Sequence, residues 1–312
     1  MRRRLGRIAA WAVTGGALSY LFWRVPIREM AKAASNAAGW TFPVLAALVM
    51  AVYLADCLAI WKTFGWFVAP LGFREVLTVR GATYLLALVN YALGQAAIVY
   101  FVKRSRGVPL VRGSAAVLLI MGTNLLLLLF MTTAGMVLGA ETIAGLRRLM
   151  LVGYAGLALY LVLLVWKPRF LTKRPLFDVL LTAGVWGYLK AMAVRLPHVL
   201  TLVCFSYATL HALGVKVPVL QAVLCTPVVL LVAVLPISVQ GLGPTQGAMV
   251  FFFARYAPGD SAHREAAVLA ASMLAWAIAL AVQILVSLVC LRSELAQGLK
   301  EMPQEQELSA AS

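Results

Sequence analysis

Eight stretches of this chain are apolar over lengths that decide its solvent: residues 8–23, 40–61, 76–102, 115–138, 149–166, 196–213, 218–254 and 265–291. A helix needs about 20 apolar residues to cross a hydrocarbon layer of roughly 30 Å. Lipid offers the backbone no hydrogen-bond partner, so such runs fold as helices that satisfy their own N–H and C=O groups. The expected fold is all-α, a polytopic integral membrane protein. A ninth stretch, 176–193, is weaker; it carries Asp178 and Lys190 near its ends and either lies along the interface or crosses as a short span. Residues 1–292 form the membrane domain, and 293–312 a polar, disordered cytoplasmic tail. With 63% apolar and 12% charged residues, an ordinary soluble enzyme is excluded. Arg2, Arg3, Arg4 and Arg7 precede 8–23 as they would a signal peptide or a first anchor, and the anchor is the reading adopted.

The charge is lopsided, with 27 Lys+Arg against 11 Asp+Glu and a net charge of +16. In so apolar a chain this excess points to anionic inner-leaflet lipids at the basic loops, and no nucleic-acid partner is expected. The clusters Lys103-Arg104-Arg106-Arg112 and Lys167-Arg169-Lys173-Arg174 both become cytoplasmic only if the 76–102 stretch turns back within the bilayer. If it crosses, the positive-inside bias is inverted. The same reasoning leaves 218–254 free to re-enter or to cross. The expected location is the cell membrane, multi-pass, with a cytoplasmic N-terminus.

Both long stretches are broken. The first breaks around Asn90-Tyr91-Ala92-Leu93-Gly94-Gln95; the second breaks at Pro236-Ile237-Ser238-Val239-Gln240-Gly241-Leu242-Gly243-Pro244-Thr245-Gln246, where prolines and glycines will not continue a regular helix. Their tails, Gln95 to Phe101 and Gln246 to Phe252, resemble each other, which suggests an inverted repeat whose broken helices meet near the midplane. Broken backbone at that depth lines a wet cavity or is buried in protein. The candidate substrate-binding residues are therefore Asn90, Gly94, Gln95, Ser238, Gln240, Gly241, Gly243, Thr245 and Gln246, together with Asp56, the acid well inside a strong stretch. The structural alternatives are that the polar groups satisfy freed backbone at the kinks and that Asp56 reaches the headgroups or pairs with Lys62. Asn124 and Gln283 read as hydrogen bonds between helices.

No catalytic constellation accompanies these groups. His198 and His211 are 13 residues apart, about 20 Å along a helix, and cannot share a metal from it. HExxH, CxxC, GxSxG and Walker spacings are missing from the sequence, and Cys57, Cys204, Cys225 and Cys290 read as apolar packing residues. No cofactor is expected, and the chain is not expected to be an enzyme.

Leu235-Pro236-Ile237-Ser238-Val239-Gln240-Gly241-Leu242-Gly243-Pro244-Thr245-Gln246-Gly247-Ala248 resembles the signature of the transmembrane region of lysylphosphatidylglycerol synthases and their stand-alone flippase-like relatives, approximately LPIS-x-GGLG-x-R-E-x-A. The Asn90 to Gln95 region, followed by Lys103 to Arg112, is similar to that family's N-x-x-x-P-x-x-x-G-E region. The resemblance extends over residues 5–292 and implies a role in handling a lipid headgroup across the bilayer. Only residues 293–312 follow Arg292, so the family's aminoacyl-transferase activity is not expected. Gln95 and Gln246 stand at the family's acidic positions, and Thr245 stands at a basic one. Glutamine neither titrates nor balances a cationic headgroup, which moves the expected lipid towards a neutral or anionic headgroup. The resulting expectation is a membrane lipid transporter with its site between the two breaks. The alternative is a lipid-binding accessory protein serving a partner enzyme of lipid or glycolipid biosynthesis.

Overall fold

A computed structural model describes residues 35, 38–89, 91–139, 145–166, 175–234 and 243–310. The described residues are mostly helical and contain no strand, as chains rich in Leu, Val and Ala without water for the backbone must be. The helices are α1 (Thr41–Phe67), α2 (Phe73–Val89), α3 (Tyr91–Arg106), α4 (Leu110–Val137), α5 (Leu146–Trp166), α6 (Pro175–Ala212), α7 (Val219–Val234), α8 (Pro244–Phe253) and α9 (Ser261–Ala310). Five of them are long and apolar enough to cross a membrane: α1, α4, α5, α6 from Val179, and α9 to Arg292. Trp40, Trp66 and Trp166 are exposed at helix ends, where an amphipathic ring favours the headgroup level. The 8–23 stretch lies outside the described residues.

The separation of 176–193 from 196–213 is overturned: both belong to α6. The irregular point is Gly184, at φ 58° and ψ −177°, where the missing Cβ makes a left-handed backbone inexpensive. Residues 194 and 195 continue the helix because Arg195 finds buried partners and is not a loop cation. Pro197 also lies inside α6.

Both broken stretches fold back on themselves. In the first, Arg106 at the end of α3 pairs with Glu75 at the start of α2 at 2.7 Å. Nearer the tip, a Cβ placed on Gly94 would stand 2.6 Å from Ala87 Cβ, so only glycine lets the two arms approach this closely. In the second, the Lys216 N–H donates to the Tyr256 carbonyl at 3.2 Å, closing the mouth of a hairpin made of α7 and α8. Its tip, 235–242, lies outside the described residues.

The two hairpins hang from opposite ends of the bundle. Contacts between α1 and α6 run in opposite order along the chain, with Phe67 against Gly187, Asp56 on Arg195 and the Val52 carbonyl on His198. The two helices are therefore antiparallel, and the hairpins that follow them leave from opposite sides. Each hairpin packs on the last helix of the other half: α2 on α9, where Gly81 meets Cys290, and α7 on α4, where Gly135 meets the Leu224 carbonyl. Contacts of α3 with α4 are repeated by α8 with α9. Two apolar cores follow this division. One joins Cys57, Phe64, Val79 and Val102 around the first hairpin, and the other joins Val199, Val228, Phe252 and Val268 around the second. Helix α5 stands between these two sets of helices and leaves Leu151 and Val152 largely exposed.

Candidate functional site

Asp56 lies mid-helix in α1, 11 residues or about 16 Å before its end at Phe67. It is 3% exposed. Its carboxylate is gripped from two sides. Arg80 of α2 donates through Nε to Oδ2 at 2.6 Å, and Arg195 of α6 donates through Nη1 to Oδ1. Arg195 also donates through Nε to Asn124 Oδ1 of α4 at 3.0 Å, the interhelical bond expected of that asparagine. Lys62 is not the partner of Asp56; its Nζ sits 4.1 Å over the Trp61 ring. Reaching water would require leaving both arginines.

Aromatic and histidine groups frame this ion cluster. The Arg80 guanidinium lies 4.9 Å from the centre of the Tyr84 ring, which packs at 5.6 Å against Tyr53. His198, one turn beyond Arg195, places Nδ1 3.2 Å from the Val52 carbonyl. A carbonyl only accepts, so Nδ1 carries the hydrogen in this contact. Four helices, α1, α2, α4 and α6, thus converge on one buried group of charges that ties the two halves together.

Among the described residues Asp56 is the only buried acid, whereas Arg80 and Arg195 are both buried. Arginine stays protonated in any protein environment. Among the described residues, two buried guanidinium groups thus meet one buried carboxylate. These two arginines are the residues that sequence reasoning missed. The signal is present in the sequence, because Arg80 stands inside the 76–102 stretch and Arg195 borders 196–213.

The remaining candidates stand apart from this cluster. Gly94 and Gln95 lie in the first turns of α3, where Gly94 serves the close contact with Ala87. Gly243 caps α8 at φ 94°, and its N–H donates to Gln246 Oε1 at 2.6 Å. Gln246 is therefore occupied in satisfying a freed backbone group at the kink, the structural alternative weighed for it. The Thr245 hydroxyl is buried with no partner among the described residues. Asn90, Ser238, Gln240 and Gly241 lie outside the described residues.

A small apolar cleft, with room for little more than a water molecule, lies beside the cluster between α1, α2 and α3; it is lined by Leu71, Val79, Ile98, Phe101 and Val102 and by the apolar part of Arg80. Glu75 stands at its other edge. Burial pushes the Glu75 carboxyl up, but hydrogen bonds from Arg106 and the Gly72 N–H outweigh this and hold it below the usual range. No group of three or more potential metal ligands occurs among the described residues. Comparison with protein-family models, with curated proteins and with solved structures finds no match for this chain.

Proposed function

We propose that this membrane protein is a flippase-like lipid transporter that handles a headgroup between two re-entrant hairpins. The observation that carries the reading is the buried Arg80–Asp56–Arg195 cluster, placed where the two inverted halves meet. Ionisable groups inside a membrane bundle are costly and mark substrate or ion paths. Hairpins that approach from opposite sides are how inverted-repeat transporters build a midplane site. In this reading the mouth of the first hairpin, with Lys103, Arg104, Arg106 and Arg112, faces the cytoplasm, and that of the second faces the outside. The N-terminus is then cytoplasmic, and the compartment is the cell membrane. The resemblance to the transmembrane region of lysylphosphatidylglycerol synthases supports the same reading through its lipid chemistry.

Reconstitution of the purified protein with fluorescent lipids tests it. Translocation that is lost in Asp56→Leu, in protein that remains folded and monodisperse, is the expected result. Binding without translocation would replace transport with the accessory role beside a biosynthetic enzyme, and chemical change of the lipid would make the protein an enzyme.

A further inference from the structure

We infer that residues 293–310 are an acidic extension of α9 that docks on the basic mouth of the first hairpin of its own chain and competes with anionic lipid headgroups for that surface. The inference stands on the placement of α9 and does not need the transport reading.

The length of α9 is the first argument. It runs as one helix from Ser261 to Ala310, but its apolar part, long enough to cross a membrane, ends at Arg292. Residues 293–310 carry the helix about 27 Å further. Gly298 and Pro303 lie in this part. Glycine and proline are the poorest helix formers, and a short helix is marginal in water even without them, so the extension needs a surface to hold it.

The second argument is where the extension emerges. The Ser287 hydroxyl donates to the Ala82 carbonyl at 3.3 Å, and Cys290 Sγ lies 4.0 Å from the Leu77 carbonyl oxygen. Numbers that rise along α9 fall along α2, so the two helices are antiparallel. One turn past Cys290, position 294 therefore comes level with the start of α2 at Phe73. That level is the mouth of the first hairpin, where Arg106 pairs with Glu75. Arg74, Lys103, Arg104, Arg106 and Arg112 are all exposed there.

The third argument is charge and face. Residues 293–310 carry Glu294, Glu301, Glu305 and Glu307 against Lys300, in a chain whose net charge is +16. Steps of three, four, seven and four connect Ser287, Cys290, Glu294, Glu301 and Glu305, which is the spacing of one helix face. The face that meets α2 inside the bundle thus continues beyond it as a row of acid positions on the side of the basic mouth. Glu307 stands about 140° round the helix from Glu294, off that row. Exposed ion pairs are weak singly and act together in a row, and anionic headgroups are drawn to the same cations. The extension is a cover that salt or an anionic membrane surface can lift.

Hydrogen exchange of residues 293–310, read by mass spectrometry on the full chain in uncharged detergent, tests this. At about 0.1 M NaCl their amides are expected to exchange about tenfold or more slowly than in the isolated 293–310 peptide. That protection is expected to be lost at about 1 M NaCl, where the Debye length falls from about 10 Å to about 3 Å. Joint Glu294→Gln, Glu301→Gln and Glu305→Gln is expected to remove it, as is joint Lys103→Gln, Arg104→Gln and Arg112→Gln, whereas Glu307→Gln is expected to leave it. In nanodiscs, phosphatidylglycerol in place of phosphatidylcholine is expected to lower it. Wild-type protection that is missing at low salt, or that survives high salt, overturns the charge docking, and that comparison needs no variant to fold. An effect of Glu307→Gln equal to that of the three-residue change overturns the assigned face. Protection that rises with protein concentration moves the contact to a second copy and overturns the intramolecular one. Equal protection in the two nanodiscs overturns the competition with lipid.

Discussion

The two hairpins share a plan and differ in chemistry. Each hangs from an antiparallel pair, packs on the last helix of the other half, and is closed at its mouth. The first is closed by the Glu75–Arg106 ion pair and sends Arg80 into the buried cluster. The second is closed by a backbone hydrogen bond from Lys216 to Tyr256, and among its described residues Thr226, whose hydroxyl has no partner there, is the polar group buried in α7. The same scaffold therefore carries charge on one side and little more than hydroxyls and amides on the other. Packing fixes how a hairpin sits, while a single substitution decides whether it brings a cation to the buried cluster.

The largest expected break in this comparison comes from the cluster itself. Asp56→Leu leaves two arginines buried without their carboxylate and should cost about 3–5 kcal/mol. Thr226→Val in the second hairpin removes a hydroxyl with no partner and should be neutral or slightly stabilising. Thermal unfolding in detergent reads both, and equal losses would end the contrast between a charged and an uncharged hairpin.

Next in size are the two points where hairpin and partner helix touch most closely. Gly135→Ala would place Cβ 2.7 Å from the Leu224 carbonyl, which is backbone and cannot turn away. Gly81→Ala would place it 2.4 Å from Cys290 Sγ, a side chain. Each should cost about 1–3 kcal/mol. Cys290→Ala should recover most of the loss for Gly81→Ala, and no side-chain change should recover Gly135→Ala. Rescue of both, or of neither, would show that the two contacts are alike.

A smaller difference separates the two glutamines. Gln246 is the third residue of α8 and accepts the Gly243 N–H, so Gln246→Ala should cost about 1 kcal/mol, as loss of a helix cap does. Gln95 is the fifth residue of α3, beyond the reach of a cap, and Gln95→Ala should leave stability nearly unchanged. Hydrogen exchange in the first turn of each helix distinguishes them.

The smallest effect is at the mouths. The carboxyl of Glu75 is held below its ordinary range, so its ion pair contributes at neutral pH and is lost as pH falls through that lowered value. Acid and salt should loosen the C-terminal turn of α3 and leave the Lys216–Tyr256 mouth unaffected. Cysteine labelling of residues 107–109 against pH follows this directly, and equal loosening of both mouths would contradict it.

Much of this architecture could be read from residue order. Apolar length pointed to the helices that are described, because that signal is local; the second break, 235–242, lies outside the described residues. The cluster was less legible. Asp56 stood out as an acid among apolar residues, whereas Arg80 and Arg195 were lost among the many cations expected at loops. Pairing residues 24 and 139 positions apart depends on how helices cross, which no local pattern encodes. Gly94 stands where the two arms of the first hairpin approach closely, a need that the sequence does not distinguish from that of a binding loop. Gln246 was likewise conspicuous because a kink needs a cap.

Helix α5 touches little and exposes much, yet it decides the symmetry. In the proposed topology the unit made of α1, a hairpin and α4 goes up, dips and comes down, so it finishes at the end of the bundle where it began. Two such units joined directly would run the same way, and both hairpins would open on one side. One additional traverse makes the number of passes between the units odd and turns the second upside down. The least embedded of the five described spans thus acts as a parity element in that topology: its length and passage matter and its side chains matter little, so an unrelated apolar helix of equal length in its place should still leave the two mouths on opposite faces.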